Sequence, residues 1–362
     1  MKLYQAKKLP IDNLDWIKLL PLITEANREI SRYDGFLSSI INPNVLLAPL
    51  LLQEAVLSSK IEGTQATVGD VLKYEAGEKF EKLKEADIEE VNNYRNALLF
   101  AADYLKKKPI TLNMIKEVHS ILLLGVRGHN KSRGNFRTVQ NWIGQQGSPI
   151  EKAKYIPPSP LELYDLLDNW EKYVNNKERD FIVQTAIMHA QFEIIHPFND
   201  GNGRVGRILI PIFLNANKLL SLPTFYISEY LESNREQYYN ALNIITSDDD
   251  WQNWIEFFLK AIIKQAQNNI NKAREINNLY EEMKKRITDI THSQYQIAAL
   301  DSIFCNPIFT IPSFLKDSNI PLASAKRIIT ILKNEGIIEV LEEASGRKPA
   351  KYVYSKLLDI TK

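Results

Sequence analysis

The stretch His196-Pro197-Phe198-Asn199-Asp200-Gly201-Asn202-Gly203-Arg204-Val205-Gly206-Arg207 constrains this chain more than any other. An apolar run from Phe181 to Ile195 leads into it, and a second from Ile208 to Leu214 follows. That order predicts helix, tight loop, helix. Glycines at 201 and 203 free the backbone for positive φ and let a ligand come close. The first N–H groups of the next helix attract anions through their unpaired donors and the helix dipole. The loop therefore reads as a cradle for a phosphate chain. Arg204 and Arg207, three apart, lie on similar faces of that helix and can clamp different phosphates. Asp200 offers a hard oxygen of the kind that holds Mg2+ beside phosphate oxygens. His196 is the group in the loop able to accept a proton near neutral pH.

These residues match every fixed position of the Fic signature, His-x-Phe-x-(Asp or Glu)-Gly-Asn-Gly-Arg-x-x-Arg, and the chain resembles that family. Most such proteins are AMP transferases that use ATP to modify a hydroxyl on another protein. The phosphorylating variant of the family departs from the Asn-Gly part of the loop, whereas Asn202-Gly203 is intact here, so the resemblance implies adenylyl transfer. It also implies roles for single residues. His196 would take the proton of a target Tyr, Thr or Ser hydroxyl, which attacks the α-phosphorus of ATP. Asp200 would hold Mg2+, Gly201 to Gly203 would supply backbone donors, and Asn202 would add its amide. Arg204 would hold the phosphate chain and Arg207 its γ end, with Phe198 as a packing anchor.

The 362 residues, 44% hydrophobic and 25% charged, describe an ordinary globular chain long enough for two or three domains. A net charge of +1 favours no class of partner. One cysteine, Cys305, excludes an internal disulfide framework and a cysteine-based zinc cluster. The start lacks the apolar core of a signal peptide and no run is long enough to span a bilayer, so a cytoplasmic protein with no membrane partner is expected.

Residues 1–105 read as an N-terminal helical region, 106–265 as the core, 266–288 as a polar connecting helix and 289–362 as a separate small unit. In the first region Pro49 to Ile61 is a helix ending at Glu62-Gly63, with Gly63 suited to a C-cap. Ser58 and Glu62, four apart, share a face. Ser58-x-x-x-Glu62-Gly63 matches the inhibitory motif of Fic proteins that carry a regulatory helix ahead of the core. The resemblance implies that Glu62 enters the nucleotide site and pairs with Arg207 where the γ-phosphate would sit. The charge-rich segment from Tyr74 to Glu90 reads as a solvated loop and helix start without a function.

Thr111 is the expected N-cap of a helix over Leu112 to Leu124. His119 and His189 read as packing residues. Two β-prone runs around Gly147-Ser148-Pro149 predict a hairpin. It resembles the Fic flap, which holds a target segment by strand addition, and Ile143, Gly144, Tyr155 and Ile156 are its candidate contacts. Tyr238 and Tyr239 fall where the family lines the base pocket, and one of the two need serve.

The last unit predicts helices over Ser293 to Phe304, Pro312 to Lys316 and Ala323 to Glu335, then strands Ile337 to Val340 and Ala350 to Val353. That order resembles the winged helix-turn-helix appended to some Fic proteins. Lys326, Arg327, Lys333, Arg347, Lys348 and Lys351 are enough for phosphate contacts, but Glu335, Glu339, Glu342 and Glu343 offset them, and without a clear basic stripe the unit reads equally as one that binds protein or dimerises. The expected fold is mainly α: a helical core, a small hairpin flap and a winged helix. ATP and Mg2+ are the expected substrate and cofactor. A target protein, the chain itself as a second target, a homodimer partner and DNA are the expected partners. Removal of AMP through Glu62, or a DNA-binding regulator with a nucleotide-sensing core, are the alternative functions.

Overall fold

The computed structural model describes residues 3–126, 132–144 and 149–361. The N-terminal region is helical: α1 (Trp16–Ser39), α2 (Pro43–Leu46), α3 (Ala48–Ile61), α4 (Val68–Glu75) and α5 (Lys82–Leu105). The core follows with α6 (Leu112–Leu122), α7 (Leu163–Asn175), α8 (Phe181–Ile195), α9 (Asn202–Ala216), α10 (Ser228–Ser233) and α11 (Arg235–Asp248). Then come α12 (Trp251–Thr291), α13 (Gln296–Cys305), β1 (Ile308–Thr310), α14 (Ile311–Ser318), α15 (Leu322–Asn334), β2 (Glu339–Glu342), β3 (Lys351–Val353) and α16 (Ser355–Ile360).

Local chemistry sets many of these boundaries. The Asp180 carboxylate caps α8 by accepting from Ile182 and Val183 N–H, both at 2.9 Å. Thr111 caps α6 through Met114 N–H at 3.1 Å, and Thr67 forms a capping box with Asp70 on α4. Helix α8 is buried on every side and runs through the centre, covered by α9, α7 and α12, with Gln184, Thr185, His189 and Gln191 as its buried polar residues. This central position makes its C-terminal end, at His196, a rigid point.

Residues 266–288, expected as a polar connecting helix, are helical but form part of the continuous 41-residue helix α12, which begins within the core at Trp251. Ile262, Ala266, Ile270, Ala273, Ile276, Tyr280 and Met283 recur every three or four residues and are buried, and α1 packs along the helix. A narrow apolar stripe in a polar background is enough for burial on one face.

The flap also differs from expectation. Between 141 and 157 the described residues form one isolated bridge, Ile143 with Tyr155, followed on the return side by a 3-10 turn at Ile150–Lys152. Pro149, Pro157 and Pro158 lack the N–H a longer ladder needs. The expected turn residues Gly147 and Ser148 lie outside the described residues.

At the C-terminal end three antiparallel strands have the order β1-β3-β2, with β1 an element not expected from sequence. Lys351, expected to contact DNA, is only 7% exposed and ion-paired with Glu78 and Glu342. Arg327 donates to the Thr291 carbonyl at 2.6 Å. Lys326, Lys333, Arg347 and Lys348 are exposed. Among the described residues no helix is long and apolar enough to cross a membrane.

Candidate nucleotide-binding site

Helix α8 ends at His196, whose left-handed backbone (φ 49°) turns the chain into the loop. Gly201 (φ 78°) turns it again, and α9 begins at Asn202. Several side chains hold this loop from below. Phe198 is fully buried and stacks on the His119 ring at 3.8 Å. His119 Nδ1 accepts from Gly134 N–H at 2.9 Å and Nε2 donates to the Asp200 carbonyl at 3.0 Å. Burial pushes this imidazole down to about 4, consistent with a neutral ring wired on both sides.

Asn202 was expected to offer its amide to phosphate. The structure gives it another task. Its Oδ1 accepts from Phe198 N–H and its Nδ2 donates to Phe198 O, both at 2.8 Å, and the residue is buried. With both ends committed, Asn202 braces the loop.

Sequence reasoning missed two further supports. Arg137 is buried and donates to the carbonyls of His196 (3.0 Å), Ile195 (3.3 Å) and Pro158 (2.6 Å), tying the end of α8 to the flap. Asn141 Nδ2 donates to Phe198 O at 2.9 Å. Polar residues in a Gly-containing stretch carry no periodic signal, so only the three-dimensional contacts reveal them.

His196 Nδ1 lies 3.3 Å from the Glu193 carbonyl, which can only accept, so the proton sits on Nδ1 and the Nε2 lone pair is free. Burial pushes the imidazole down to about 4. At neutral pH His196 is a neutral base.

The two arginines are buried rather than free. Arg204 pairs with Glu90 at 3.3 Å and Asp200 at 3.6 Å. Glu90 also accepts from Thr64 Oγ1 at 2.7 Å, so the segment read as solvated contributes a 2% exposed carboxylate to the site. It escaped notice because its neighbours in sequence are charged and exposed. Arg207 Nε donates to Ser58 Oγ (2.8 Å), and Nη2 to the Ser58 carbonyl (2.9 Å) and to Glu62 Oε1 (2.7 Å). The expected pairing of Glu62 with Arg207 is thus present. Burial raises the Glu62 carboxyl, but Arg207, Arg204 and His196 outweigh it and hold the pKa below the usual range.

Helix α3 is built to deliver that carboxylate. Gly63 takes φ 99° at its end. Arg235 donates to the Ile61 carbonyl, and the buried Glu54 accepts from Ser228 N–H (2.9 Å), Ser228 Oγ (2.6 Å) and Tyr94 OH (3.1 Å). A Cβ on Gly203 would lie 2.2 Å from Glu62 Oε1, so only glycine lets the carboxylate reach the start of α9.

Above the loop a cleft of about 870 Å³ lies between the flap and α11, lined by Ile143, Gly144, Tyr155, Glu193, Tyr239 and Leu242 among others. The two tyrosines divide their work. Tyr238 is 1% exposed and its hydroxyl lies 2.9 Å from His189 Nε2, while His189 Nδ1 donates to Gly206 O at 3.1 Å. Tyr239 is 40% exposed and faces the cleft. Of the four expected flap contacts, Ile143 and Gly144 are exposed. Tyr155 donates its hydroxyl to Ile194 O at 2.8 Å, and Ile156 is buried with its carbonyl taken by Tyr4 N–H at 3.1 Å. Tyr155 and Ile156 therefore anchor the flap, which leaves Ile143 and Gly144 as its accessible edge.

The loop, its two buried arginines and the cleft form one connected site in a helical fold, and comparison gives the chain a family. The model described as Fic/DOC family N-terminal matches residues 20–103 and the Fic/DOC family model matches 109–214. The chain belongs to the Fic family. A probable protein adenylyltransferase of Aquifex aeolicus is 38% identical over 96 residues, 26% of this chain and 29% of that protein. The protein adenylyltransferase Fic of Aedes aegypti is 30% identical over 145 residues, 39% of this chain and 25% of that protein. The matches therefore span less than a third of these relatives. A crystal structure of a Fic family protein from Desulfovibrio desulfuricans shares the fold over 97% of this chain and 98% of that one, with a TM-score of 0.61 at 19% identity.

The buried histidines make the fold acid-sensitive. Burial pushes His189 to about 3 and His119 and His196 to about 4. Each is neutral when folded and protonated when unfolded below about 6.5, so its stabilising contribution is lost as pH falls from about 6.5 toward 4. Glu193, raised to about 8, and Glu54, also raised by burial, act in the opposite sense and offset part of this uptake. Three histidines against two carboxyls leave a net uptake of about one proton on unfolding once the pH is below about 6, or about 1.4 kcal/mol per pH unit there. The melting temperature should fall between about pH 6 and 4.5, less steeply in His119→Gln, and a flat profile would refute this account.

Proposed function

We propose that this protein moves AMP from ATP to a Tyr, Thr or Ser hydroxyl of a target protein, and that Glu62 holds it in an inhibited state. The observation that carries the proposal is the ion pair of Glu62 with Arg207 at the start of α9, beside a neutral His196. A carboxylate occupies the place a terminal phosphate requires, supported by the same guanidinium and the same helix end. The names of the relatives agree with the reaction class.

In the proposed reaction the target hydroxyl gives its proton to His196 Nε2 as its oxygen attacks the α-phosphorus. The new O–P bond forms as the bond to the bridging α–β oxygen breaks, and pyrophosphate leaves in line. The N–H groups opening α9 and Arg204 receive the phosphate chain, and Arg207 its end once Glu62 has withdrawn. Asp200, partly exposed at the mouth of the loop, suits a Mg2+ ion held by one carboxylate and phosphate oxygens. Bound there, Mg2+ would neutralise phosphate charge. The exposed edge at Ile143 and Gly144 would pair with an extended target segment, which fixes the hydroxyl without demanding much sequence.

The adenine would rest on Tyr239. Tyr239→Ala should weaken ATP binding about tenfold, whereas Tyr238→Phe should leave it within about threefold, since stacking on an aromatic face contributes roughly 1–3 kcal/mol. Titration of each protein with ATP decides this, and the reverse order of effects would sink the assignment. Mass spectrometry of the protein incubated with a candidate target, ATP and Mg2+ tests the reaction itself. A gain of one AMP supports it, and a gain of one phosphate overturns it.

A further inference from the structure

Helix α3 ends on the carbonyls of Ser58, Ser59, Lys60 and Ile61, which need donors from beyond the regular helix. The turn that follows supplies two of them. Glu62 and Thr64 N–H close on Ser59 O at 3.0 and 3.1 Å, and Gly63 N–H closes on Lys60 O at 2.9 Å. Guanidinium groups from other helices take the remaining two. Arg207 on α9 donates through Nη2 to Ser58 O at 2.9 Å, and Arg235 on α11 donates through Nη2 to Ile61 O.

The position of Arg235 runs against local electrostatics. It opens α11, the end at which the helix dipole disfavours a cation. Its side chain instead reaches the C-terminal end of α3, where a cation is favoured. Among the described residues Arg235 has no ion-pair partner, so the Ile61 carbonyl is the contact that places it. Ile61 is buried and directly precedes Glu62, so the contact bears on where the carboxylate points. Lys60 adds a 3.5 Å ion pair to Glu232 on α10. Residues of α10 and α11 therefore hold the end of α3 independently of the bond between Glu62 and Arg207. Arg235 also forms part of the cleft wall, which makes direct binding of nucleotide the rival role.

We propose that Arg235 is a positioning residue for the inhibitory carboxylate: by capping α3 at Ile61 it keeps Glu62 on Arg207, and losing that cap frees the site. This rests on the reading of Glu62 as the inhibitor.

The test compares the full chain with Arg235→Leu, Arg235→Lys, Glu62→Gly and the double variant Glu62→Gly/Arg235→Leu. Labelling with α-labelled ATP reads the activity, and amide hydrogen exchange over residues 58–66 reads the end of α3. One charge-assisted bond at a partly exposed helix end corresponds to about a three- to tenfold shift between held and released states. Arg235→Leu should therefore raise labelling by about that factor and speed exchange of the Glu62, Gly63 and Thr64 amides similarly. Arg235→Lys should stay within about threefold of wild type, because a single bond to a carbonyl does not need the planar fork of arginine. In Glu62→Gly no carboxylate is left to place, so adding Arg235→Leu should change labelling by less than about twofold. A fall in labelling there would make Arg235 a nucleotide ligand and overturn the proposal. Unchanged exchange in Arg235→Leu, or a gain in Arg235→Lys equal to that in Arg235→Leu, overturns it too. If Glu62→Gly itself leaves labelling flat, the inhibitory reading falls and the proposal with it, whereas failure of the Arg235 variants alone leaves that reading standing.

Discussion

Glu62→Gly should raise AMP transfer by about ten- to a hundredfold, because it removes a charge-assisted contact of roughly 1.5–3 kcal/mol that ATP must displace. The Glu62 carboxylate meets Arg207 at 2.7 Å, and Arg207 is 1% exposed, so its charge requires a counter-ion in every state of the protein. In this structure Glu62 supplies it, and in the proposed active state the phosphate would. The variant should melt at a lower temperature without ATP and recover with it, since a ligand that binds only the folded state stabilises by mass action. Labelling with α-labelled ATP measures the gain. Unchanged or reduced labelling would contradict the inhibitory role. Incubating an already modified target with both proteins addresses removal of AMP, because loss of AMP that requires Glu62 would assign the carboxylate to the reverse reaction.

His196→Ala should lower labelling by about a hundred- to ten-thousandfold, the range expected when a positioned general base is lost. ATP binding should stay within about threefold in the Glu62→Gly background, since the proposed phosphate ligands are the α9 N–H groups, Arg204 and Arg207. With Nδ1 donating to the Glu193 carbonyl, the Nε2 lone pair is left for the proposed reacting hydroxyl, and an imidazole held near 4 is already deprotonated at neutral pH. The rate governed by this group should therefore persist down to about pH 4 in material that stays folded. Equal labelling by wild type and His196→Ala would remove the base assignment.

Local signals determined much of this protein. The glycines of the 196–207 loop, the continuous apolar character of α8 and the caps Thr111 and Gly63 act over a few residues, so their effects can be read along the chain. The pairing of Glu62 with Arg207 was legible because the family motif named that partner, and four-residue spacing put Ser58 on the same face, but only the structure shows Ser58 binding Arg207 as well. Tertiary structure decided what distance along the chain conceals. Burial of Glu90 against Arg204, the commitment of Asn202 to Phe198, the hold of Arg137 on the end of α8 and the division of labour between Tyr238 and Tyr239 each depend on which segment packs against which. A polar side chain declares its chemistry in the sequence, but its role follows from which of its hydrogen bonds the fold has already claimed.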